Sequence, residues 1–172
     1  MTWNAQVDAS TVYAFANEPT KAGVFKVKVG TSEQVTSNAG NPRVKFTSTV
    51  MEGEFKGCQI DDGLNLEPWD KVRGFWGMFL VSTGVPRTGL KAAIEKNKGL
   101  SPKLIDNKVA YVRFEPADRE VGKRYAKKDW VPAVVYEAWT ARQAELAASG
   151  EDSSDESSNG TGDSTASFMD GI

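Results

Sequence analysis

The sequence contains no histidine. That removes the commonest general base and the commonest metal ligand. A single cysteine, Cys58, excludes an internal disulfide and fits a reducing compartment. With one Cys and no His, a zinc site has almost nothing to build on. No glycine-rich loop runs into Lys-Ser or Lys-Thr, so a P-loop is excluded. No apolar run approaches the roughly 18 residues of a membrane span. The opening MTWNAQVDAS has neither the basic nor the apolar region of a secretory leader. These absences predict a cytoplasmic chain with no metal, no cofactor and no membrane partner.

What is present is charge, and it is segregated. The 172 residues carry 21 Lys and Arg against 23 Asp and Glu. All the cations lie between Lys21 and Arg142. Six acids lie beyond Gly150, which leaves residues 1–150 at +4 and residues 151–172 at -6. The length suits one domain, 1–148, followed by a tail, 149–172. Serine, glycine and acids cannot bury enough surface to offset chain entropy, so the tail is expected to be disordered. Its last residues, FMDGI, add apolar side chains and a carboxylate at the end of a solvated tether. That combination reads as a docking peptide, with Phe168, Met169, Asp170 and Ile172 as its contacts.

Strict alternation in GVFKVKVG and RVKFTSTV predicts two half-buried strands. Lys26, Lys28, Arg43 and Lys45 fall on their polar faces. TSEQVTSNAGNP between them reads as a loop. EFKGCQI is expected to be the third strand, followed by a turn at Asp61-Asp62-Gly63. PWDKVRGFWGMFLVSTG predicts a helix with Trp69, Val72, Trp76, Phe79, Leu80 and Thr83 on its core face. Gly74 and Gly77 are read as letting that helix lie close to the sheet. A short helix is expected over Leu90 to Lys96. KVAYVRFEP reads as the fourth strand, ADREVGKRYAKKD as a basic loop and WVPAVVYEAW as the fifth strand. A short helix, AWTARQAELAAS, then leads to the tail. The expected class is mainly β: an OB-fold-like five-stranded barrel with an inserted helix after strand three, plus a disordered C-terminal tail. A generic α+β sandwich is the alternative.

Four cations on one hairpin face repel one another, and a phosphate backbone relieves that repulsion. A second cluster, Lys123, Arg124, Lys127 and Lys128, is interleaved with Tyr125 and Trp130. Charge for phosphates and rings for bases is what a single-strand groove needs. The bland alternatives are a solvated, aggregation-resistant edge for the lysines and a core position for Trp130. Asp61 and Asp62 could serve a Mg²⁺-dependent enzyme, although two acids beside a glycine first suggest a turn.

Beyond these residue patterns, the chain resembles the single-stranded DNA-binding proteins of tailed bacteriophages, a divergent group with an OB fold. The resemblance runs from about Gly23 to Tyr136. It is carried by AGVFKVKVG, NAGNPRVKFTSTVMEG, VRGFWGMFLVSTGVP, LIDNKVAYVRFEP and WVPAVVY. In such binders an acidic tail often ends in a short hydrophobic motif that recruits replication and recombination proteins. FMDGI occupies that place here, though the bacterial pattern is denser in Asp and closes on Pro-Phe. The resemblance implies single-stranded DNA as ligand, no catalysis, no cofactor, and a setting in the cytoplasm of an infected bacterial host. Homo-oligomerisation is left open. The expected DNA contacts are Lys26, Lys28, Arg43 and Lys45, then Lys127, Lys128 and Trp130, then Tyr111 and Arg113. Reversing the first four together is expected to abolish binding. The rival readings are a protein-interaction adaptor and an enzyme. An RNA ligand is the variant within the same class.

Overall fold

Valine and phenylalanine at every second position set the main strands. In β1 (Gly23–Val29), Phe25, Val27 and Val29 are buried while Lys28 is exposed. In β3 (Pro42–Val50), Val44, Phe46, Ser48 and Val50 point inward. In β5 (Val109–Glu115), Ala110, Val112 and Phe114 are fully buried. We describe residues 17–150 from a computed structural model of the chain.

Three further strands complete the sheet: β2 (Glu33–Thr36), β4 (Gln59–Asn65) and β6 (Lys127–Trp130). Every pairing is antiparallel. The order is β2-β3-β1-β5-β6, with β4 on β3. The sheet curls into a half-barrel, with a helix after β4, as an OB-like fold requires. Two edges, β4 and β6, therefore face each other across a seam. Side chains bridge it: Lys128 Nζ donates to the Asp61 carbonyl, and Trp130 Nε1 donates to Asp62 Oδ2 at 2.7 Å.

Helix α1 (Trp69–Ser82) closes one side of the core. Val72, Trp76, Phe79 and Leu80 are buried, and Trp76 Nε1 donates to the Asn65 carbonyl at 2.8 Å. Trp69, placed on the core face by its spacing, is 42% exposed. It is the first helical residue. Neither glycine of α1 lies tight against the sheet. A methyl at Gly77 would meet only Leu90, at 3.8 Å, and one at Gly74 would meet nothing within 4 Å. Gly74→Ala is therefore expected to raise stability by about 0.5–1 kcal/mol, because only the cost of ordering a glycine is removed. An unchanged or lower urea midpoint would contradict this. After α1 come a 3₁₀ turn (Arg87–Gly89), α2 (Leu90–Lys96) and a second 3₁₀ turn (Pro102–Leu104).

Four sequence expectations shift. The 31–42 loop contains β2, because Glu33 to Thr36 pair with the far end of β3. The third long strand starts at Gln59 rather than Glu54, and Asp61-Asp62-Gly63 lies within it. The strand after the basic loop is Lys127–Trp130. WVPAVVYEAW turns helical at Ala133, the start of α3 (Ala133–Ser149). Pro132, read as an edge-strand proline, stands just before that helix instead, where its missing N–H costs nothing. The body ends at Trp139, where a second unit begins. No helix among the described residues is long and apolar enough to cross a membrane.

Candidate nucleic-acid interface

Three strands that are remote in sequence send cations to the seam. Arg43 comes from β3, Arg113 from β5 and Lys128 from β6. With Trp130, Asp62 and α1, they line a groove of about 570 Å³. Arg43 reaches it by crossing Gly63. A Cβ there would lie 2.2 Å from its Nε, so the missing side chain is the space the guanidinium occupies. Among the described residues, neither Arg43 nor Arg113 is in an ion pair. Asp129 also lines the groove, opposite Arg113 in the register, and pairs with Lys127 at 3.5 Å.

The adjacent acids are committed to structure. Successive strand residues face opposite sides, so Asp61 and Asp62 do not form a chelating pair. Asp61 accepts from Thr47 Oγ1. Asp62 accepts the Gly63 N–H at 2.8 Å on Oδ1 and the Trp130 indole on Oδ2. Among the described residues no cluster of three His, Cys, Asp or Glu could hold a metal.

Lys128 also lines a second hollow, with Glu18, Asp61, Arg119, Arg124 and Tyr125. Burial raises the Glu18 carboxyl above its ordinary range; the Lys128 charge opposes the rise and Asp61 adds to it. The β5–β6 loop forms the outer wall of this hollow, pinned by a bridge between Asp118 and Lys123. In OB folds the corresponding loop contributes to oligonucleotide binding. Here it presents Tyr125, 80% exposed, with the Arg124 guanidinium 5.9 Å over its ring.

The expected site residues separate into groups. Arg43, Arg113, Lys128 and Trp130 converge on the groove. Lys127 is exposed near it and bound to Asp129. Lys26 and Lys28 do not join Arg43 and Lys45 in one patch. Lys28 lies opposite Thr49, so Lys45 is about 13 Å and Arg43 about 20 Å further along β3. Lys45 instead faces Glu33 on one side and Gly63 on the other. Lys26 is half-buried opposite Tyr111, whose ring packs on Tyr136 of α3 at 5.1 Å. Tyr136 in turn donates to Glu52, and its hydroxyl is held above the usual phenol range by burial and then by that carboxylate. Trp130 is a core residue, 6% exposed, packed on Phe46 and on Phe79 with centroids at 5.7 and 5.0 Å. Little of its ring is open to a base. Phe168, Met169, Asp170 and Ile172 lie outside the described residues.

Among the groove residues that were not expected site residues are two exposed apolar ones, Phe75 and Met78 of α1. The available signal is that both are large, apolar and off the core stripe.

No curated protein matches the chain at a significant level. A family model matches residues 5–128, a stretch that includes Arg43, Phe75, Arg113 and Lys128. On that match the chain belongs to the family described as protein of unknown function DUF669.

Proposed function

We propose that the chain is a single-stranded DNA-binding protein of the phage type. It coats exposed strands during replication, recombination or repair, and its acidic tail recruits partner proteins. The observation that carries this reading is the meeting of Arg43, Arg113 and Lys128 along one seam of an OB-like half-barrel. A polyanion that follows the seam neutralises these charges and releases counterions, which supplies sequence-independent affinity. The loop bearing Arg119, Arg124 and Tyr125 continues the path through the second hollow. The groove suits a single strand because unpaired bases can reach its side chains, whereas a duplex keeps its bases paired and stacked away from them.

Ultraviolet cross-linking to oligo-dT, followed by peptide mapping, tests the placement. Adducts are expected within 72–78 and 113–131. Adducts confined to Lys26, Lys28 and their neighbours would move the site from the seam to β1, the central strand of the sheet. An acidic protein partner is the competing reading, favoured by the exposed apolar residues of α1. It predicts capture of protein and no adduct with the oligomer.

A further inference from the structure

We infer that Phe75 is a base-stacking platform, so that the groove has a base side on α1 and a phosphate side on the strands. This rests on the single-strand reading and assigns the contacts within it.

Phe75 is 65% exposed, while its neighbours Trp76, Phe79 and Leu80 are fully buried. The exposure is not at a frayed end, because Phe75 lies in the middle of α1. Val72, Phe75 and Met78 recur every three residues and form a ridge along the groove. Met78, 36% exposed, adds a polarizable side chain that adapts to whatever lies against it. The facing wall carries Arg43 over Gly63, Arg113 and Lys128. One wall is apolar and aromatic; the other carries three cations and two carboxylates, Asp62 taken up by the Trp130 indole and Asp129 by Lys127. A ligand complementary to both has a flat apolar part and an anionic part, which describes a nucleotide.

Other rings near the site are less free. Trp130 is enclosed by Phe46 and Phe79. Tyr111 is covered by Tyr136. Tyr125 is exposed, but Arg124 lies over its ring. An apolar peptide would fill the α1 side and leave the guanidinium groups without an anion.

The test compares wild-type chain, Phe75→Leu and Phe75→Trp, at fixed salt, for binding to oligo-dT and to an abasic strand of equal length. Leucine keeps the apolar bulk and removes the ring. Wild type is expected to prefer oligo-dT. Phe75→Leu is expected to lose about 5- to 150-fold for oligo-dT, the range for one stacked base, and little for the abasic strand. Phe75→Trp is expected to retain binding. The salt dependence should not change in Phe75→Leu, since no phosphate contact is lost. Equal oligo-dT affinity in Phe75→Leu and wild type would overturn the inference. Equal binding of oligo-dT and the abasic strand by wild type would also overturn it, while leaving the single-strand reading in place. Binding of neither strand would remove the reading and the inference together.

Discussion

Reversing Arg43 and Arg113 together, as Arg43→Glu with Arg113→Glu, is expected to lower affinity for oligo-dT roughly 100-fold at moderate salt. It should also flatten the salt dependence. Each phosphate contact on a single strand contributes about 0.7 to the slope of log K against log salt, so two lost contacts remove about 1.4. Both guanidinium groups line the seam, and among the described residues neither is tied into an ion pair. Their removal therefore breaks no internal bridge. Lys128 is left intact because its ammonium helps to close the barrel through the Asp61 carbonyl. The matched control is Lys26→Glu with Lys28→Glu. It changes net charge equally at residues that do not line the groove, Lys26 lying diagonal to Arg113 across β1 and β5, and is expected to weaken binding less than the groove variant. A larger loss in the control than in the groove variant would relocate the site to β1.

Trp130→Ala is expected to destabilise the fold by about 3–5 kcal/mol, a large share of the roughly 5–15 kcal/mol that holds a domain folded. Three terms act together. The indole fills the space between Phe46 and Phe79. Its N–H occupies one oxygen of the half-buried Asp62, a hydrogen bond that is lost with the indole. It also joins β6 to β4 across the unpaired seam. Trp130→Phe retains the ring but not the N–H, so the expected loss is smaller, about 1–3 kcal/mol. Urea unfolding followed by circular dichroism measures both. A Trp130→Ala chain with a wild-type midpoint and lost oligo-dT binding would make the residue a stacking platform instead.

Strand alternation made β1, β3 and β5 legible, because each buries every second residue against one core. The Trp76, Phe79 and Leu80 stripe did the same for α1. Segment 130–139 misled for a physical reason. Val131, Val134 and Val135 have strand propensity, yet the Tyr111–Tyr136 and Phe25–Trp139 ring contacts hold a helix there. Gly63 resembled a turn residue, but its place in β4 depends on an arginine from another strand. The cations of the site were visible as residue types, whereas their grouping was not. Arg43 and Lys128 become neighbours only when β4 and β6 close on each other, a pairing that involves side chains and leaves no periodic trace. Trp130 looked the same as a core ring and as a stacking ring until its two neighbours were placed. Phe75 stood out only once its burial was known, because sequence spacing identifies the face that packs, not what the other face does.

The most direct test of the central claim is a fluorescence-anisotropy titration of labelled oligo-dT with the full chain, repeated with a matched duplex, over a series of salt concentrations. The expected result is binding of the single strand, weaker binding of the duplex, and affinity that falls linearly in log K against log salt. No binding of oligo-dT at low salt, or equal binding of strand and duplex, would contradict it.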